Sequence, residues 1–266
     1  MMPVRPAHLP GRRARHGTVA AVSAALLLSA CAAAPDDGGV TARSGAPVKS
    51  TTAAGRAALP GAAGEPKRAR QALPGVGPAM LADIPDTARQ VLLVTGDGRN
   101  EPTSTVRLYQ RTTAGGWEAV TAAWPAHNAL KGWTHDHRLG DLRSPIGVFA
   151  LTDAGGLLPD PGTRMPYDQS DAFTVSGTGF EGEPLDGSFD YVVAINYNRE
   201  PGTSPLDWAR PQGAEKGGGI WVHVDHDGPT QACVSIAEEH LEILLRTLDP
   251  ALKPVIVMGD AATLAR

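Results

Sequence analysis

Between residues 90 and 258 the chain repeats one pattern, short runs of apolar and β-branched residues cut by Gly, Pro, Asn and Asp. Gln90 to Thr95, Thr105 to Arg111, Trp117 to Ala122, Gly147 to Thr152, Tyr191 to Tyr197, Gly219 to Val224 and Val255 to Met258 read as strands. One stretch breaks the pattern. From Ile236 to Leu248 the apolar Ile236, Leu241, Leu244, Leu245 and Leu248 fall at helical spacing, and Pro250 closes the run. Ser235 followed by Glu238 has the form of a capping box, which places the helix start just after Cys233. A weaker helical texture from Ala79 to Arg89 marks a domain edge. The expected fold is mostly β with few helices, an α+β domain over residues 88–266, without an internal repeat.

The first ninety residues have a different texture. Residues 1–30 read as an export signal: Arg12, Arg13 and Arg15 precede an apolar run from Thr18 to Ala30 that is too short to span a bilayer. The run ends in Leu28-Ser29-Ala30-Cys31, which resembles the lipobox of bacterial lipoproteins, where the Cys is acylated and becomes the new N-terminus. The alternative is an ordinary signal peptide cut after Ala33, which would discard Cys31. Residues 31–87 are rich in Ala, Gly, Pro and Thr, with no apolar period that could bury a core, and are expected to form a disordered tether. A flexible coil of that length reaches about 40 Å. The implied location is the outer face of the cell membrane, through an N-terminal lipid anchor only.

Charge and cysteine usage narrow the choices. Losing the four arginines of the leader takes the net charge of −4 to −8, so nucleic acid is not an expected partner. Gly 31 and Pro 23 exceed ordinary usage, and the excess belongs to the tether. The chain has 2 cysteines, and with Cys31 lipidated, Cys233 is a single free thiol outside the cell, without a disulfide framework.

Alternation along Gly219 to Asp225 puts Trp221, His223 and Asp225 on one face and Ile220, Val222 and Val224 on the other. After a turn at Asp227-Gly228-Pro229 the chain runs through Thr230-Gln231-Ala232 to Cys233. A thiol at a helix start, near an imidazole, is expected to have a lowered pKa. The N–H groups of Gln231, Ala232 and Cys233 could hold the oxyanion formed when a thiolate attacks a carbonyl. Taken singly, His223 could be a structural histidine and Cys233 a buried apolar group; their joint placement is what suggests chemistry.

These residues resemble the L,D-transpeptidases with the YkuD-type catalytic domain, in which a strand histidine precedes a Ser/Thr-x-Gly-Cys turn. Thr230-Gln231-Ala232-Cys233 stands at that turn. Gly140-Asp141-Leu142-Arg143-Ser144-Pro145-Ile146-Gly147-Val148-Phe149 is similar to the family's Gly-Asp-x-x-Thr-Pro-x-Gly-x-Phe segment, and Tyr191 to Asn198 with Gly217 to Ile220 also fits. The resemblance implies a β-sandwich, Cys233 as nucleophile, His223 as base, and Gln231, Ala232 and Cys233 as the oxyanion hole. It further implies peptidoglycan stem peptides as substrates, a Cys233 thioester, 3→3 cross-links, and neither a cofactor nor a metal. The chain departs from the pattern at Gln231-Ala232, at Ser235 and in a shortened loop before Cys233, which leaves two alternatives: a carboxypeptidase-like hydrolase or a non-catalytic wall-binding lipoprotein.

Two other clusters carry less. His223-Val224-Asp225-His226-Asp227 is rich in donors, but continued strand alternation would turn His226 away from His223, and no second ligand cluster lies nearby in sequence. His135 and His137 read as a polar loop that could edge a substrate cleft. Gly217 to Gly219 lacks the Lys-Ser/Thr of a phosphate loop and reads as close packing or a cleft wall.

Overall fold

The computed structural model describes residues 72–266. The expected export signal, the lipidation candidate Cys31 and the tether up to residue 71 lie outside the described residues. The strands in chain order are β1 (Gln90–Gly96), β2 (Thr103–Arg111), β3 (Trp117–Ala119), β4 (Trp124–His127), β5 (Trp133–Thr134) and β6 (Ser144–Pro145). They continue as β7 (Gly147–Gly156), β8 (Tyr167–Gln169), β9 (Val192–Ile195), β10 (Trp221–Val224), β11 (Val234–Ile236) and β12 (Val255–Asp260). Three short helices accompany them: α1 (Pro78–Asp83), α2 (Glu238–Thr247) and α3 (Ala261–Leu264). The domain is mostly β, as the strand periodicity implies. Among the described residues no helix is long and apolar enough to cross a membrane.

The main sheet runs β1-β12-β7-β9-β10-β11-β4-β2, with β3 beyond β2, and β1 also pairs with β2. That second pairing, from Gln90↔Gln110 to Gly96↔Ser104, joins the two ends of the path. The strands therefore close into an eight-stranded barrel where a sandwich was expected. The physical reason is β1 itself. Its residues Val91 to Val94 are buried on both sides of the pleat, so it takes a parallel partner in β12 and an antiparallel one in β2 without exposing an edge.

The core also corrects the domain edge. Leu73, Val76, Met80 and Ile84 are buried with the barrel residues, so the folded part begins well before residue 88. Pro78 at the start of α1 fits a helix N-terminus, where a missing N–H costs nothing. Two backbone bonds, Gly77 N to Leu264 O and Ala79 N to Arg266 O, tie this segment to the C-terminus.

The region around Cys233 differs most from expectation. Val234 to Ile236 form β11, and α2 starts only at Glu238. Ser235 is not a cap: the helix is preceded by Ala237 without a side-chain cap, and Glu238 and Glu239 supply the favourable negative charge of the first turn. Val234 and Ile236 pair with β10 because their alternating apolar side chains fit a strand beside Val222 and Val224, and that pairing outweighs their helical spacing from Leu241. Leu241, Leu244 and Leu245 then bury the inner face of α2.

Candidate functional site

Strand β10 lies between β9, antiparallel, and β11, parallel. Its register pairs Val222 with Val234, His223 with Ser235 and Val224 with Ile236. Paired residues of parallel strands project to the same side. Val222, Val224, Val234 and Ile236 thus enter the core, while Trp221, His223 and Ser235 share the opposite side. One step earlier in the register, Cys233 lies opposite Trp221, whose backbone N–H reaches the Cys233 sulfur at 3.4 Å. Two residues along and one strand across places Cys233 and His223 about 8 Å apart between Cα atoms, close enough for an imidazole and a thiol to converge. The expected alternation of His223 against its apolar neighbours is present.

Both groups open onto one cavity of about 390 Å³, a volume suited to a small-molecule or peptide site. The sequence segments that carry the resemblance meet there although they are far apart in the chain. Gly140 and Leu142, the Gly217 to Ile220 run, His223 and the turn from Thr230 to Cys233 all line it. Gly219 has φ +66, a conformation that favours glycine, and its carbonyl lies 3.9 Å from the Cys233 sulfur. The glycine run is therefore cavity wall.

The turn before β11 is held by hydroxyls. Thr230 Oγ donates to Cys233 O at 2.7 Å, and Ser144 Oγ donates to the same carbonyl at 3.3 Å. Gln231, Ala232 and Cys233 line the cavity, and none of their N–H groups is drawn into a turn or loop hydrogen bond among the described residues. Ser144 comes from the Gly140 to Phe149 segment, so that motif braces the cysteine turn. Its position in a Ser-Pro pair was visible in the sequence, but its long-range bond was not.

The electrostatics differ from the expected activated thiol. Cys233 does not sit at a helix N-terminus, and burial pushes its thiol up to about 11 against the weaker opposing pull of the Trp221 N–H. His223 Nδ1 lies 2.8 Å from Val224 O; a carbonyl only accepts, so Nδ1 carries the proton and Nε2 keeps the lone pair. Burial pushes this imidazole down to about 4. The resting pair is neutral thiol beside neutral imidazole, and among the described residues no hydrogen bond joins the two side chains.

Two neighbours sit where sequence reasoning did not place them. His127 on β4 places Nδ1 2.9 Å from Asp225 Oδ1, and the fully buried Ser235 donates to the same oxygen at 2.6 Å. The Asp225 bond raises the His127 pKa over the opposing effect of burial. For Asp225, burial pulls upward, but His127 and Ser235 together hold the carboxyl below its ordinary value. Because Ser235 donates to the carboxylate and not to a ring nitrogen, this is a brace behind β10 and not a serine nucleophile.

His226 is the second. The strand ends at Val224, and the turn at Asp227, with φ +62, swings the chain round. The His226 ring then lies parallel to that of His223, centroids 5.8 Å apart, and lines the same cavity, contrary to the expectation that it points away. His137 also lines the cavity, its Nδ1 2.9 Å from Asp141 Oδ1. Among the described residues no group of His, Cys, Asp and Glu is arranged to hold a metal ion. The chain matches no family model, no curated protein and no solved structure.

Proposed function

We propose that the protein is an exported, lipid-anchored acyltransferase of the L,D-transpeptidase type, acting on the stem peptides of peptidoglycan. The observation that carries this reading is the convergence of Cys233, His223 and the remote Gly140 and Leu142 on a single cavity. In the reaction, His223 Nε2 takes the proton of Cys233 as its sulfur attacks the carbonyl of the third stem residue. The carbonyl oxygen gathers negative charge beside the N–H groups of Gln231, Ala232 and Cys233. The bond to the terminal D-alanine breaks, its amine takes the proton from His223, and an acyl group remains on Cys233 as a thioester. An amine of a second stem then displaces the sulfur and gives a 3→3 cross-link; water in its place would make the enzyme a carboxypeptidase.

The neutral resting pair assigns the ionisation to the moment of attack. Burial raises the thiol to about 11 and lowers the imidazole to about 4, which disfavours a resting ion pair, so transfer accompanies formation of the sulfur–carbon bond. The same values favour the second reading, a wall-peptide binding module in which Cys233 only packs. Incubating the purified chain with tetrapeptide-stem muropeptides separates the two by product mass. Cross-linked dimers or trimmed tripeptides support acyl transfer, and unchanged muropeptides that co-purify with the protein support binding alone.

A further inference from the structure

A carboxylate–imidazole pair that the reaction above does not use borders the cavity: His226 lines it, and Glu183 contacts His226. His226 and Glu183 have side chains only 6% and 8% exposed, and His226 Nδ1 lies 3.3 Å from Glu183 Oε1. Among the described residues neither atom has a hydrogen-bond partner, so this close approach of opposite polarity is the one contact that offsets the burial of each. The placement is built into the backbone. A Cβ on Gly179 would come within 1.9 Å of Glu183 Oε1, and one on Gly228 within 2.2 Å, so the carboxylate occupies a slot that exists because both residues lack a side chain. Its other oxygen accepts the Glu181 N–H at 2.8 Å. Backbone N–H groups of Glu183 itself and of Glu181 keep the carboxyl below its ordinary pKa against burial, which makes it an anion.

We propose that His226 is a second general base of the site and that Glu183 is its positioning residue, and this rests on the acyl-transfer reading. Acyl transfer moves a proton in each of two steps: from the thiol in the first, and from the amine or water that attacks the thioester in the second. His223 is fixed by Val224 O and serves the first. With Glu183 at Nδ1, the His226 ring presents Nε2 as its basic nitrogen. In the second step the nucleophile forms its bond to the acyl carbon, gives its proton to His226 Nε2, and the carbon–sulfur bond breaks. The proton then passes to the departing Cys233 thiolate, which restores thiol and neutral imidazole. The parallel rings of His223 and His226 set the two acceptors side by side on one wall of the cavity.

The test follows the intact mass of the purified full chain mixed with a tetrapeptide bearing meso-diaminopimelate third and D-alanine fourth. Wild type is expected to show a transient adduct on Cys233. His226→Gln and Glu183→Gln are expected to let that adduct persist at least tenfold longer. Ring-nitrogen NMR of the wild-type protein, which does not depend on any variant folding, is expected to find His226 protonated at Nδ1. Adduct lifetimes equal to wild type in both variants, or the opposite tautomer, would overturn the assignment while leaving acyl transfer intact. Absence of any wild-type adduct would overturn both.

Discussion

Asp225 holds His127 across the strands: the two side chains meet at 2.9 Å, and Ser235 completes the contact from the residue paired with His223. This brace fixes the end of β10 near which His223 and His226 reach the cavity. Replacing Asp225 with Ala leaves the Ser235 hydroxyl buried without its acceptor, which costs about 1–3 kcal/mol. The pH dependence follows from the two shifts. His127 is raised, so its contribution is complete below 6.5 and is lost as pH rises through the folded value; Asp225 is lowered, so its contribution is complete above 3.8 and is lost as pH falls through the folded value. Urea titrations are expected to give the largest gap between wild type and His127→Gln between pH 3.8 and 6.5. A gap that widens above neutral pH would contradict the pairing.

The thiol and its imidazole make a second prediction. Thiolate absorbance at 240 nm is expected to rise near pH 11, above free cysteine, since burial disfavours the anion. His223 runs opposite to His127. Its folded value of about 4 lies below 6.5, so the unfolded chain takes up a proton that the native state refuses, and stability falls as pH drops from 6.5 towards 4. The full loss is about 3 kcal/mol. A His223→Asn variant is expected to lose less over that interval, and equal loss in both proteins would show that the ring is not held neutral.

A third prediction isolates the Glu183 slot without touching a charged group. Gly228→Ala puts a Cβ where Glu183 Oε1 now lies, and the carboxylate, being the end of a flexible chain, can swing away. The expected result is a stability change under about 1 kcal/mol, with turnover of the Cys233 adduct slowed as in Glu183→Gln. Wild-type turnover in Gly228→Ala would mean that the carboxylate is not needed at His226.

Much of this site could be read from the chain, for identifiable reasons. The β1, β7 and β12 runs are long and apolar, and His223 interrupts an otherwise aliphatic strand, so period-two reasoning finds them. β4 is only Trp124–His127 and contains Pro125, which hides both the strand and His127. β11 merges with the apolar period of α2, which drew the helix start towards Cys233 and with it the expectation of an activated thiolate. Barrel closure depends on β1 accepting two partners, a non-local fact that no local pattern encodes. Glu183 lies in a Gly-rich loop with no period, and its role rests on missing side chains at Gly179 and Gly228.

The central claim is that Cys233 can be acylated in this cavity. Incubation with a carbapenem, followed by intact-mass and peptide-mass analysis, tests it most directly. The account predicts a single adduct located on Cys233, slowed or lost in His223→Ala and absent in Cys233→Ala. A wild-type protein that remains unmodified over hours, with its fold intact, would contradict it.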